Sequence, residues 1–225
     1  MLQRLKTIPN RPILFALIAA DLMFIFLYLL FLVPAEILPF FQEDSFSIKE
    51  DQGLAEAFQY VKELWIALIF FWLVIKRRRY ALVGLALLFA YFLLDDMVEI
   101  HEKLGDLAAG LFVNFPLLSR FPNLASDDFG ELFAAGLLGL FFVAIISYPY
   151  WRSTASTRQI FHTIFALLAV FLFFAIGVDF LNGFFNSPVI REMFGLVEDG
   201  GEMLAMSMIC WYSGSLVGDF KSGDT

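Results

Sequence analysis

Apolar residues fall in long blocks, without the alternation of a strand or the one-sided stripe of a soluble helix. The blocks run near twenty residues, the length an α-helix needs to cross about 30 Å of hydrocarbon. They predict six helices, at about 13–33, 51–75, 80–104, 129–148, 159–180 and 190–216. Polar breaks divide them. Pro34 ends the first, and an acidic connector with Glu36, Glu43, Asp44, Glu50 and Asp51 follows. The run Lys76-Arg77-Arg78-Arg79 stops the second. Ser126-Asp127-Asp128 reads as an N-cap cluster for the fourth, and Tyr148-Pro149-Tyr150-Trp151-Arg152 as an aromatic turn after it. Asn182-Gly183 and Asn186-Ser187-Pro188 are turn chemistry ahead of the sixth. The segment 107–118 is apolar but too short to span, and reads as interfacial or re-entrant.

Composition narrows the class. The 225 residues are 60% hydrophobic, with 29 phenylalanines, whereas a soluble domain averages about 45–50% apolar. The expected fold is all-α: a polytopic integral membrane protein, one membrane domain over 1–225, built as a six-transmembrane-helix bundle. The single cysteine, Cys210, excludes an internal disulfide and a multi-thiolate metal site. A net charge of −8 without a basic patch speaks against nucleic acid. The first apolar run is longer than a signal peptide's and lacks a small-residue cleavage site, so it reads as a retained helix.

Basic residues set the expected orientation. Arg4, Lys6, Arg11, Lys76–Arg79, Arg152, Arg158 and Lys221 lie at one set of helix ends. Only Lys49, Lys62, Lys103, Arg120 and Arg191 lie elsewhere. By the positive-inside rule both termini are cytoplasmic (N-in/C-in), in a bacterial inner membrane.

The acids carry the chemistry. Leu94-Asp95-Asp96-Met97-Val98-Glu99-Ile100-His101-Glu102 closes the third apolar run. On a continuous helix Asp95, Glu99 and Glu102 stand at i, i+4 and i+7, within roughly 60° of one another. Asp96 points about 100° away, and His101 faces nearly opposite. Glu198 and Glu202 share a face of the sixth helix, Glu63 lies on a stripe with Glu56 and Gln59, and Asp179 ends the fifth. The alternating topology brings all of these to the outer half of the bundle. Basic partners are scarce there: Lys62 points off the Glu63 stripe, and no arginine lies at that depth. Carboxylates crowded in a low dielectric cannot all stay ionised unless a cation compensates. Gly200 and Gly201 leave room beside Glu202 for a helix, a ligand or water. Tyr60, Tyr91 and Asn182 supply polar neighbours. Asp21, alone in the first helix, serves either a hydrogen bond to a neighbouring helix or a proton path. Glu56, Glu102, Asp128 and Glu131 are explained as well by solvated helix ends as by a site.

The expected site is therefore a metal or proton site of Asp95, Glu99, Glu198 and Glu202, with Glu63, Asp96, His101, Glu102 and Asp179 around it. Oxygen-only ligands suit a divalent cation such as Mg²⁺, Ca²⁺ or Mn²⁺ better than zinc. The paired Glu-x-x-His motifs of a di-iron bundle are missing from the sequence. Three functions follow: cation binding and translocation; a metal-dependent enzyme on a lipid or amphiphile at the outer leaflet; or an accessory subunit of a larger membrane complex. The expected partners are the bilayer and a cation or lipid ligand. A homo-oligomer and a partner complex both remain open.

Asp95-Asp96-Met97-Val98-Glu99 resembles the aspartate-rich motif of membrane prenyltransferases, which implies diphosphate held through Mg²⁺. The pair Asp95-Asp96 followed by His101-Glu102, with the late acidic stretch Glu198 to Met203, is similar to uncharacterised bacterial multi-pass membrane proteins, and that resemblance implies no activity. Small six-helix cation exporters are an architectural analogy. Their inverted repeats would place the second acid set late in the sixth helix, whereas here it comes early, which favours an outward-opening pocket.

Overall fold

The computed structural model describes residues 11–50, 52–114, 116, 118 and 125–219, and every regular element among them is helical. The helices are α1 (Arg11–Phe31), α2 (Leu54–Lys76), α3 (Val83–Val98), α4 (Ile100–Ala109), α5 (Ser126–Arg152), α6 (Ala155–Leu172), α7 (Asp179–Asn182) and α8 (Pro188–Asp219). A 3₁₀ turn at Tyr80–Leu82 leads into α3, and a π-helical stretch, Phe173–Val178, joins α6 to α7. Five stretches are long and apolar enough to cross a membrane: Arg11–Phe31, Leu54–Lys76, Tyr80–Val98, Ser126–Arg152 and Ala155–Asn182. The 32-residue α8 is long enough, but its first half carries Glu192, Glu198, Asp199 and Glu202.

α8 runs against α1, α2 and α6, while α3 packs on α2 and α4 on α5. The core between them is aliphatic and aromatic: Ile66, Phe70 and Leu73 of α2, Leu85 and Phe89 of α3, Phe161 and Ile164 of α6, Met206 and Ile209 of α8. Phe70 and Phe89 stack with ring centroids 6.0 Å apart. Where helices have no water to escape from, close packing and polar links hold them together. Both are present. Gly105 of α4 and Gly130 of α5 meet backbone to backbone; a Cβ on Gly130 would lie 3.1 Å from Ala109 N and closer still to the Gly105 carbonyl. Asp21 of α1, Lys62 of α2 and Ser207 of α8, all fully buried, tie three helices at one point.

Most expected helices appear, shifted by a few residues. α5 starts earlier than expected and runs through Pro149 to Arg152. It starts as Asp128 accepts the Ala125 N–H at 2.7 Å, which agrees with the acidic cluster expected to begin it. The helix expected over 80–104 is corrected: it breaks at Glu99, which adopts the left-handed conformation at φ 55°, ψ 50°. The segment 107–118 is the end of α4 followed by turns, with Phe115 and Leu117 outside the described residues. Arg4, Lys6, Arg120 and Lys221 of the expected charge asymmetry, and Asp51 of the acidic connector, also lie outside them.

Candidate functional site

The corner between α3 and α4 is built by side chains that serve the backbone. The break at Glu99 leaves carbonyls at the end of α3 and N–H groups at the start of α4 without helical partners. Tyr60 donates its hydroxyl to the Asp96 carbonyl at 3.1 Å, and the Lys103 ammonium donates to the Val98 carbonyl. Asp95 accepts the His101 backbone N–H at 2.8 Å and lies 3.0 Å from its Nδ1. That bond to Asp95 holds the imidazole above its usual range, against the opposing effect of burial. Asp95 is therefore a corner residue that positions His101. A continuous helix would have kept the two apart; the left-handed residue between them brings them together.

The same break corrects the expected stripe of Asp95, Glu99 and Glu102. Glu99 turns to Lys103, 3.4 Å away at a largely exposed position. Glu102 stays on the wall of the large cavity described below, with Asp95 and His101.

The acids that converge come from α2, α3 and α8. Glu198, Asp199 and Glu202 place one carboxylate oxygen each within 4.8 Å of one another. Asp96, Asp199 and Glu202 form a wall shared by two cavities. The smaller, about 180 Å³, opens toward Lys49, Glu56 and Gln59. The larger, about 1150 Å³, runs between α3, α5 and α6. Behind the wall lies Glu63, fully buried, with Asp96, Lys62 and Glu202 as the charged groups around it. Among the described residues, neither Glu63 oxygen meets a hydrogen-bond donor. Two ionised carboxylates repel and cannot hydrogen-bond each other, so the neighbouring Glu63 and Asp96 favour a shared proton or a cation.

Neighbouring bases are committed to other acids. Lys62, one residue from Glu63, directs its three donors to Asp21 Oδ1 at 3.1 Å, the Met203 carbonyl at 3.0 Å and Ser207 Oγ at 3.5 Å. An ammonium has three donors, so none remains for Glu63. Lys49 pairs with Glu192 at 3.2 Å, and Glu192 also accepts the Tyr28 hydroxyl. Among the described residues, Arg191 is the lone arginine on the large cavity's wall.

The remaining expected residues are on that wall too. Asp179 follows directly on the π-helical turn, which shifts the register of its helix by one residue where the chain enters the acidic region. Asp128 and Glu131, from the first turns of α5, join it. The space left by Gly200 and Gly201 is taken by neighbouring helices: Ile25 Cδ1 stands 3.2 Å from where a Gly200 Cβ would be, and the Phe174 ring covers Gly201.

Residues 13–216 match the family model described as Domain of unknown function (DUF8692). The chain belongs to this family. The matched span contains every acid of the cluster and the residues that hold Lys62: Asp21, Met203 and Ser207. No curated protein and no solved structure matches the chain.

One acid of the cluster escaped the sequence reading. Asp199 is not among the expected site residues, yet it stands i, i+3 to Glu202, a same-face spacing. That spacing was the available signal.

Proposed function

We propose that the chain is a six-span membrane protein, α8 being the sixth span, that binds a cation on Glu198, Asp199 and Glu202, with Asp96 and Glu63 behind them. One observation carries the reading: three carboxylates converge within 4.8 Å beside a fully buried Glu63 that meets no donor among the described residues, while the nearest lysine is bound to Asp21. Three or more oxygen ligands suit Mg²⁺, Ca²⁺ or Mn²⁺, and the same array can carry protons when no metal is bound. On this reading both termini are cytoplasmic, the acid chamber opens outward, the bacterial inner membrane is the location, and translocation of the bound cation is the activity.

The test is flux in proteoliposomes loaded with a divalent-sensitive dye, run beside a pH-sensitive dye. Uptake of Mn²⁺ or a counter-flow of protons that Glu202→Gln abolishes supports the reading. Absence of both, in protein that keeps its thermal unfolding midpoint, refutes translocation. A second reading, a metal-dependent enzyme on an amphiphile, draws support from the large cavity, whose apolar walls continue from the acids. There the metal would activate water beside a free carboxylate.

A further inference from the structure

The large cavity is more than an antechamber to the acids. It is a groove along nearly the whole of α5, from Asp128 to Trp151, about 35 Å at the helical rise. Asp179, Glu198, Asp199 and Glu202 line it together with a single arginine, Arg191, and so do the apolar Phe92, Phe142, Leu168 and Phe171. Two glycines of α5, Gly136 and Gly139, line it as well, and a Cβ on either would meet nothing within 4 Å. Glycines spaced along a membrane helix ordinarily admit a neighbouring helix, as Gly105 and Gly130 do. At Gly136 and Gly139 no neighbour among the described residues arrives, so the missing side chains widen the groove. Asn182, on its wall, has no hydrogen-bond partner for its Oδ1 among the described residues.

We propose that the groove holds a long-chain amphiphile with an ammonium head, the head at Glu198, Asp199 and Glu202 and the chain along Gly136 and Gly139. The head follows from the charge of those acids, which repel a free phosphate or carboxylate and attract a cation. The chain follows from the groove's apolar lining and its length. This inference rests on the cation-site reading and names the form in which the cation arrives.

The experiment uses the full chain in detergent, with radiolabelled hexadecylammonium as probe, hexadecanol as the neutral control, and Mn²⁺ titrated separately. About one hexadecylammonium per chain is expected, competed by Mn²⁺ and not by hexadecanol. Gly139→Phe plugs open space, so it is expected to keep the parent's unfolding midpoint and Mn²⁺ binding while weakening hexadecylammonium at least tenfold. Gly136→Leu is the second plug, read the same way. Glu202→Gln is expected to weaken both probes. Equal binding of the alcohol, or full hexadecylammonium binding in both folded plug variants, overturns the proposal and leaves the cation site standing. Loss of Mn²⁺ binding in the parent itself would strike the underlying cation reading instead.

Discussion

Lys62 Nζ sits 3.1 Å from Asp21 Oδ1, with both side chains fully buried. This pair decides how the acid cluster is to be understood. It removes from Glu63 the lysine that sequence places beside it, and it fixes α1, α2 and α8 at the depth of the cluster. Ser207 completes the arrangement with a 2.5 Å bond to Asp21.

Removing one partner leaves an uncompensated buried charge, at a cost of about 3–5 kcal/mol. Lys62→Met is therefore expected to lower the unfolding midpoint sharply, and Asp21→Leu in the same chain to recover much of the loss. A double-mutant cycle in detergent measures this. Additive losses would show that the two residues do not act as a pair.

His101 gives the pH dependence. Its folded value is raised, chiefly by the bond to Asp95, so folding favours the protonated ring. The stabilisation is complete below the unfolded value of about 6.5 and is lost as pH rises through the higher folded value. The expected outcome is a stability that falls on going from mildly acid to alkaline pH, with the slope abolished in His101→Gln. An NMR titration of the ring tests the same point: a midpoint at or below the free-imidazole value would contradict the corner geometry.

Glu99 separates a backbone role from a ligand role. A non-glycine residue in the left-handed region costs about 1–2 kcal/mol. Glu99→Gly is expected to stabilise the fold slightly or leave it unchanged, and Glu99→Val to destabilise it. Cation binding should survive in Glu99→Gly. Its loss in a folded variant would return Glu99 to the site.

The glycines of α5 are expected to divide. Gly130→Ala drives a Cβ into the α4 backbone and should cost about 1–3 kcal/mol or more. Gly139→Ala meets open space and should gain up to about 1 kcal/mol from helix propensity. Unfolding midpoints of the two variants compare them directly.

The helical class was legible because block length is set by a single physical quantity, the hydrocarbon thickness. The gathering of Glu63, Asp96, Asp179, Glu198 and Glu202 was legible from helix order alone. The corner at Glu99 was not: Met97-Val98-Glu99-Ile100 holds no glycine or proline, and the break is stabilised by Tyr60 from another helix and by Asp95 across the turn. That Lys62 turns away from the Glu63 stripe is legible in helical spacing, but its partner Asp21 stands 41 residues away. Asp199 is legible only through its i, i+3 spacing to Glu202.

Glu198, Asp199 and Glu202 are proposed to hold a cation. The most direct measurement is Mn²⁺ titration by EPR on protein purified without chelator, in the parent, Glu198→Gln, Glu202→Gln and Glu99→Gln. About one bound Mn²⁺ per chain is expected in the parent and in Glu99→Gln, displaced by Mg²⁺ or Ca²⁺, and none in the other two. Binding that persists in both Glu198→Gln and Glu202→Gln, or no stoichiometric binding in the folded parent, would contradict it.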